Sequence, residues 1–331
     1  MTNNCRLSLL FLSFAALCTP QVLAASETPN YSQLDVTSNH AAVVDQSSGA
    51  ELYSKNADEQ RPIASISKLM TATVVLDAKL SLDQKVLVSQ SDIDTVRRSH
   101  SRLKVGIKHT RRELLQLALM SSENRAASAL ARSYPGGMVA FVKAMNNKAK
   151  QLGMTHTHFE DPTGLHSENV STARDLVKLV QAGFQYDLIR QFTTSTSYNL
   201  KQGRVVKYKN SNPLFKDENW EIGLSKTGYI KPAGHCLVMQ AMVAERPVII
   251  VLLDAAQRAI VSEDSDRIKG WVAELTHKND NFISKVGFTE PPSDKPLTAH
   301  VDNSVEDQVI DARVKSSFEP PSASAFTVTP H

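Results

Sequence analysis

At 331 residues, with 41% hydrophobic side chains, the chain is long enough for one large domain or two small ones with a sizeable core. Its formal charge of +3 is spread along the sequence, with no basic stripe and no interleaved aromatics, so nothing points to nucleic acid. Beyond the opening residues no stretch is long and apolar enough to span a bilayer, and three cysteines are too few for a disulfide scaffold.

The first 24 residues read as an export signal. Arg6 precedes the apolar run "LSLLFLSFAAL", which is too short for a comfortable membrane span, and "VLA" ends at Ala24 with small or short residues suited to a signal peptidase. A retained anchor is disfavoured by Pro20 and Gln21, and a lipidated Cys18 by the large Leu17 before it. Cys5 and Cys18 leave with the signal. Cys236 then stands alone in an apolar run, expected buried and inert, so the exported chain has to be held together by its core.

Residues 25–37 are polar and read as a lead-in. "HAAVVDQSSGAELYSKN" is expected to form a hairpin, two strands around a Ser-Ser-Gly turn. "SISKLMTATVVLDAKL" carries apolar residues at helical spacing, and "QKVLVS" reads as a short strand. "RRELLQLALMS" and "NRAASALARSY" are two helical runs broken near Ser121–Glu123, followed by an amphipathic "MVAFVKAMNNKAKQLGM". "STARDLVKLVQAGFQY" opens on a Ser/Thr cap. From about Tyr198 strands take over in "RVVKYKN", "IGLSKTGYI", "HCLVMQAMVAE" and "PVIIVLLDA", and a last helix runs near Ser262 to Thr276. Strands at both ends around a helical middle predict one antiparallel sheet packed against helices. Residues 38–278 form the expected folded domain. Residues 279–331, with "EPPSDKP" and "SFEPPSASAFTVTPH", read as a Pro/Ser-rich disordered tail.

Three triplets carry the chemistry. Ser65 stands three residues before Lys68 at the start of a helical run, so the two side chains share a face and can touch. A serine hydroxyl needs a base to become a nucleophile, and a lysine is a base only when burial lowers its pKa, which Ile66, Leu69 and Met70 favour here. The pattern alone is cheap. A second Ser-x-x-Lys, Ser101–Lys104, lies among charges just before Gly106 and reads as a solvated turn. Two further triplets raise the value of the first: Ser122-Glu123-Asn124 at the helix break, and Lys226-Thr227-Gly228 in a strand, where Gly228 leaves room for a ligand's backbone. Their types and order match the Ser-x-x-Lys, Ser-Asp-Asn and Lys-Thr-Gly set of penicillin-binding proteins and class A β-lactamases, with Glu123 in the variable place.

On these triplets, and on "FEDPTGLHSENVSTARDL", the chain resembles the low-molecular-mass penicillin-binding proteins, serine D,D-peptidases that trim bacterial peptidoglycan. "SSENRAASALAR" and "AGHCLVMQAMV" look most like their D-alanyl-D-alanine endopeptidase group. The resemblance, over roughly Ser38 to Thr276, implies an α+β fold of the β-lactamase/transpeptidase type, a five-stranded antiparallel sheet with helices on both faces. It implies Ser65 as acyl-forming nucleophile, Lys68 as its base, Ser122 as proton relay to the leaving amine, and Asn124 as holder of Lys68 and the substrate amide. Lys226, Thr227, Gly228 and Tyr229 would bind substrate along the strand, with the backbone N–H groups of Ser65 and Tyr229 as oxyanion hole. No metal or cofactor is called for. The partners implied are peptidoglycan stem peptides, with β-lactams as covalent inhibitors, in the periplasm and with no membrane anchor after signal cleavage. The expected activity is hydrolysis of D-alanine–meso-diaminopimelate cross-links.

The alternatives differ in one feature each. A class A β-lactamase needs a deacylating carboxylate; Glu160 is the nearest candidate, but "EDPTG" lacks the Glu-x-x-Leu-Asn context. A membrane-bound carboxypeptidase shares the catalytic part but adds a second β-rich domain and an amphipathic terminal helix, which the text after Asn279 does not show; a soluble carboxypeptidase stays as the second reading. A non-catalytic peptidoglycan-binding relative would have lost Lys68, Ser122 or Lys226. His156, His158 and His166 suggest zinc only weakly, without a ligand spacing. Trp220 and Tyr229 flank the strand motif, as groove lining or, for Trp220, as packing.

Overall fold

The computed structural model describes residues 34–286; the expected export signal and the Pro-rich tail segments lie outside them. The chain opens with the expected hairpin, β1 (His40–Asp45) and β2 (Glu51–Lys55). Its turn is held by Asp45, whose Oδ1 accepts from the Ser47 and Ser48 backbone amides and from Ser48 Oγ. There follow β3 (Arg61–Pro62), a 3-10 turn Ala64–Ile66, α1 (Ser67–Asp77), β4 (Lys85–Leu87) and β5 (Lys108–Thr110). The helical middle comprises α2 (Arg111–Met120), α3 (Asn124–Arg132), α4 (Gly137–Gln151), the short β6 (Val170–Ser171), α5 (Ala173–Phe184) and α6 (Asp187–Thr194). Last come β7 (Ser197–Gln202), β8 (Arg204–Lys209), β9 (Glu221–Ile230), β10 (Gly234–Val243), β11 (Arg246–Ala255) and α7 (Arg258–Val286).

The main sheet has five antiparallel strands in the order β2-β1-β11-β10-β9, so its first and last strands in chain order meet at its centre, His40 opposite Leu253. Central β11 is buried on both faces from Val248 to Leu253, and its unbroken apolar run follows from that. Successive residues of a strand point to opposite faces. Ile249, Val251 and Leu253 accordingly join α1, α2 and α5 in the larger core, while Val248, Ile250 and Leu252 pack with Ile268 and Val272 of α7. Helices therefore cover both faces.

Four local features differ from the sequence reading. Ser65 sits in the 3-10 turn that leads into α1, not inside the α-helix. Eight-residue α6 and strand β7 carry too little pattern to be read, since only Leu200 and Gln202 of β7 are buried. "RVVKYKN" becomes β8 but pairs with β7 in a separate ribbon rather than joining the main sheet. Helix α7 starts before Ser262 and passes Thr276 to reach Val286; no Gly or Pro interrupts residues 271–286 to stop it.

Candidate active site

The turn that carries Ser65 is packed against backbone from two sides, and Ser67 Oγ donates to its Ala64 carbonyl at 2.8 Å. Ala64 has φ +49, and a Cβ on Gly164 would stand 1.8 Å from the Ala64 carbonyl oxygen and 2.9 Å from the Ser65 nitrogen. A Cβ on Gly228 would lie 2.9 Å from the Ile63 carbonyl oxygen and 3.1 Å from the Ser65 nitrogen. The loop before β6 and strand β9 thus close on the turn from two sides, and only glycine permits that approach. The space left by the missing Gly228 side chain is filled by the Ser65 turn, although Gly228 also lines the cavity beside it.

Lys68 lies one helical turn on and is fully buried. Its Nζ is 2.8 Å from Ser65 Oγ, 2.7 Å from Asn124 Oδ1 and 2.6 Å from the Thr163 carbonyl oxygen. Burial pushes its pKa down to about 7, against the pull of Asp161, Glu123 and Asp94. Asn124, first residue of α3, has its amide orientation fixed because Nδ2 donates to Ser99 Oγ at 2.8 Å. Thr163 is aimed by Asp161, whose Oδ1 accepts from the Thr163 amide and hydroxyl and from the Gly164 amide, while Oδ2 accepts from the His166 amide. A neutral lysine amine has two N–H groups and one lone pair. Asn124 Oδ1 and the Thr163 carbonyl only accept, so they take both N–H groups and leave the lone pair for the Ser65 hydroxyl.

A second Ser–Lys pair faces the first. Ser122, at the break between α2 and α3, is held in a left-handed conformation, φ +59, a strained geometry for a residue with a side chain. Its Oγ accepts from Lys226 Nζ at 2.9 Å, and Lys226 also donates to the Thr227 carbonyl. Burial, with the nearby charge of Lys68, holds Lys226 well below the ordinary lysine range. Thr227 donates to Ser211 Oγ at 2.7 Å. Strand β9 is the sheet edge, so its outward backbone groups have no strand partner.

Ser65, Ser122, Asn124, Thr227 and Tyr229 line one cavity of about 410 Å³, with Lys68 and Lys226 buried behind it. Tyr229 is 57% exposed at the rim, and its ring stacks on His235 with centroids 4.3 Å apart. All eight residues singled out from the three triplets and Tyr229 therefore converge. Sequence reading missed Thr163, Asp161, Ser99, Ser211 and Arg258. Asp161 was signalled by "DPTG", a turn-forming Asp ahead of a glycine. The others act through backbone or side-chain placement that no spacing reveals. Arg258 opens α7 and donates to the Ser211 carbonyl at the cavity wall.

The remaining candidates fall elsewhere. Ser101 is not solvated as expected: it is partly buried and donates to Glu123 Oε1 at 2.5 Å, while Lys104 is exposed. Glu160 is exposed, with its carboxylate 3.5 Å from His158, and it does not line the Ser65 cavity. Among the described residues no group of His, Cys, Asp or Glu is placed to hold a metal ion. Trp220 packs against the face covered by α7 and donates to Asp266, so it is not groove lining. Cys236 is buried at the cavity wall, its thiol pushed up to about 12 by desolvation, as suits an unreactive residue. Among the described residues no helix is long and apolar enough to cross a membrane.

Sheet, helices and paired serine–lysine contacts together define a serine peptidase of the penicillin-binding class. The chain belongs to the D-alanyl-D-alanine carboxypeptidase family, peptidase S11, whose model matches residues 25–257. It is 45% identical over 267 residues to the D-alanyl-D-alanine endopeptidase of Escherichia coli, covering 80% of this chain and 86% of that one. Identity to the D-alanyl-D-alanine endopeptidase of Pseudomonas aeruginosa is also 45%, over 276 residues, 82% of this chain and 89% of the relative. The crystal structure of the Streptomyces K15 DD-transpeptidase superposes with a TM-score of 0.68 at 30% identity, over 72% of this chain and 97% of that one.

Proposed function

We propose that the protein is a penicillin-sensitive D,D-endopeptidase that hydrolyses D-alanine–meso-diaminopimelate cross-links of peptidoglycan in the periplasm. The observation that carries the chemistry is the Lys68 amine, desolvated and held by two acceptor-only partners so that its lone pair faces Ser65 Oγ. Ser65 Oγ attacks the D-alanine carbonyl as Lys68 takes its proton. The oxyanion is received by the Ser65 and Tyr229 backbone N–H groups, preorganised by the turn and the sheet edge. Ser122 hands a proton to the departing amine and is resupplied through Lys226. Asn124 positions Lys68 and the substrate amide. Thr227 and Arg258, which line the cavity, meet the carboxylate beside the scissile bond, with Lys226 buried behind them. Water then hydrolyses the acyl-enzyme, with Lys68 as base again. A β-lactam takes the same first step and stays bound, because its leaving amine remains tethered to the acyl group and keeps water from the ester; among the described residues no carboxylate lines the cavity to activate a water in place of Lys68.

The endopeptidase specificity is supported by the two relatives of that name, the periplasmic setting by the signal-like residues 1–24. The family's own description favours a carboxypeptidase as the second reading. The mature protein, incubated with cross-linked muropeptide dimers and with monomeric pentapeptide, separates the two by mass spectrometry. Dimers converted to monomers with pentapeptide intact support the endopeptidase. Pentapeptide losing its last D-alanine while dimers persist makes the protein a carboxypeptidase with the same chemistry.

A further inference from the structure

A second, larger cavity of about 730 Å³ adjoins the first. The two share Asn212, Pro213, Arg258 and Ser262 in their walls, so a chain leaving the Ser65 cavity past Arg258 enters it. Its walls carry Lys207 and Lys209 from β8, Lys216 after the ribbon, and Arg258, and among the described residues no carboxylate. All four cations are exposed, and none is in an ion pair with a described residue. Asp217, next to Lys216, is engaged by the amide and side chain of Asn219. Ala259 and Ser262, in the first turns of α7, also line the groove, and the positive end of that helix adds to the field. Four cations in one concave wall, without an ion pair among the described residues, give a positive potential that draws an anion.

The chemistry of the two possible leaving groups differs at this place. A carboxypeptidase releases one D-alanine, which the first cavity can contain. An endopeptidase releases the amine of a diaminopimelate still attached to its own stem peptide, a chain bearing further carboxylates. That chain must continue out of the first cavity. We propose that the Lys207–Lys209–Lys216 groove binds the carboxylates of the departing stem peptide and so selects cross-linked over monomeric substrate; this rests on the endopeptidase reading above. The contacts are solvent-exposed and made before and during the reaction, so they raise affinity for the dimer more than they speed the chemical step.

The test is the full mature protein with Lys207→Gln, Lys209→Gln and Lys216→Gln combined. Acylation by benzylpenicillin, which has no second stem, checks that the fold and Ser65 are intact. The expected result is a fall of about tenfold in kcat/KM on muropeptide dimers, mostly through KM, at low salt. The gap to wild type should close as ionic strength rises. Wild-type kinetics on dimers would overturn the groove while leaving the endopeptidase reading in place. An equal loss on dimers and in penicillin acylation would also overturn it, because the lysines would then support the domain as a whole. Wild-type protein that leaves dimers intact would remove both readings together.

Discussion

Two stretches of this chain have the same four-residue pattern and opposite fates. Ser65–Lys68 lies where α1, α3, the Asp161 loop and β9 converge; its lysine is fully buried and touches three acceptors. Ser101–Lys104 lies in the irregular stretch before β5; its lysine is exposed, and its serine donates to Glu123 instead. On the proposed mechanism, a serine and a lysine at this offset become nucleophile and base only where surrounding elements remove water from the amine and occupy its N–H groups. Ser101 still contributes, at one remove. It holds the buried Glu123, whose pKa burial raises, at the helix break between Ser122 and Asn124.

Exchanging the fates of the two stretches gives the sharpest tests. Ser65→Ala should abolish labelling by fluorescent penicillin and all hydrolysis, whereas Ser101→Ala should leave labelling within about twofold. Labelling that persists in the first variant and vanishes in the second would reverse the assignment. Lys68→Ala should slow acylation by about 10²–10⁴-fold, the range of a positioned general base, with the far-ultraviolet circular dichroism unchanged. In the parent enzyme the acylation rate should rise with pH through about 7 and level off above it, since only the unprotonated Lys68 amine accepts the serine proton. A stopped-flow profile flat from pH 6 to 8 would remove Lys68 from the role.

Gly164→Ala tests the backbone half of the comparison, because the Ser101 stretch has no such clamp. A Cβ there meets the Ala64 carbonyl at 1.8 Å, at a backbone φ of +79 that disfavours any side chain. Displacing the Ser65 turn should cost about 10²-fold in acylation, with a lowered melting temperature. The smallest effect is expected at Ser101 itself. Ser101→Ala removes a hydrogen bond to a buried carboxyl and one from the Leu103 amide, and should lower stability by about 1–2 kcal/mol in urea unfolding, measured beside its near-normal penicillin labelling.

The three triplets, their order and the apolar run after Ser65 were readable because they are local: a helix offset, a helix break and a strand are each written in neighbouring residues. The central strand β11 was readable for the same reason, its apolar run having no polar interruption from Val248 to Leu253. The sequence by itself determined the reactive residue types, the helical middle and the antiparallel sheet built from both ends. Tertiary structure alone decided which Ser-x-x-Lys is desolvated, that Lys68 meets the Thr163 carbonyl and Asn124, that Gly228 yields its space to the Ser65 turn, and that β8 leaves the sheet to set its lysines beside Arg258. These depend on distances between residues far apart in the chain, such as Lys68 and Thr163 or Gly228 and Ser65, and a desolvation or a shared proton exists only once such residues are packed together.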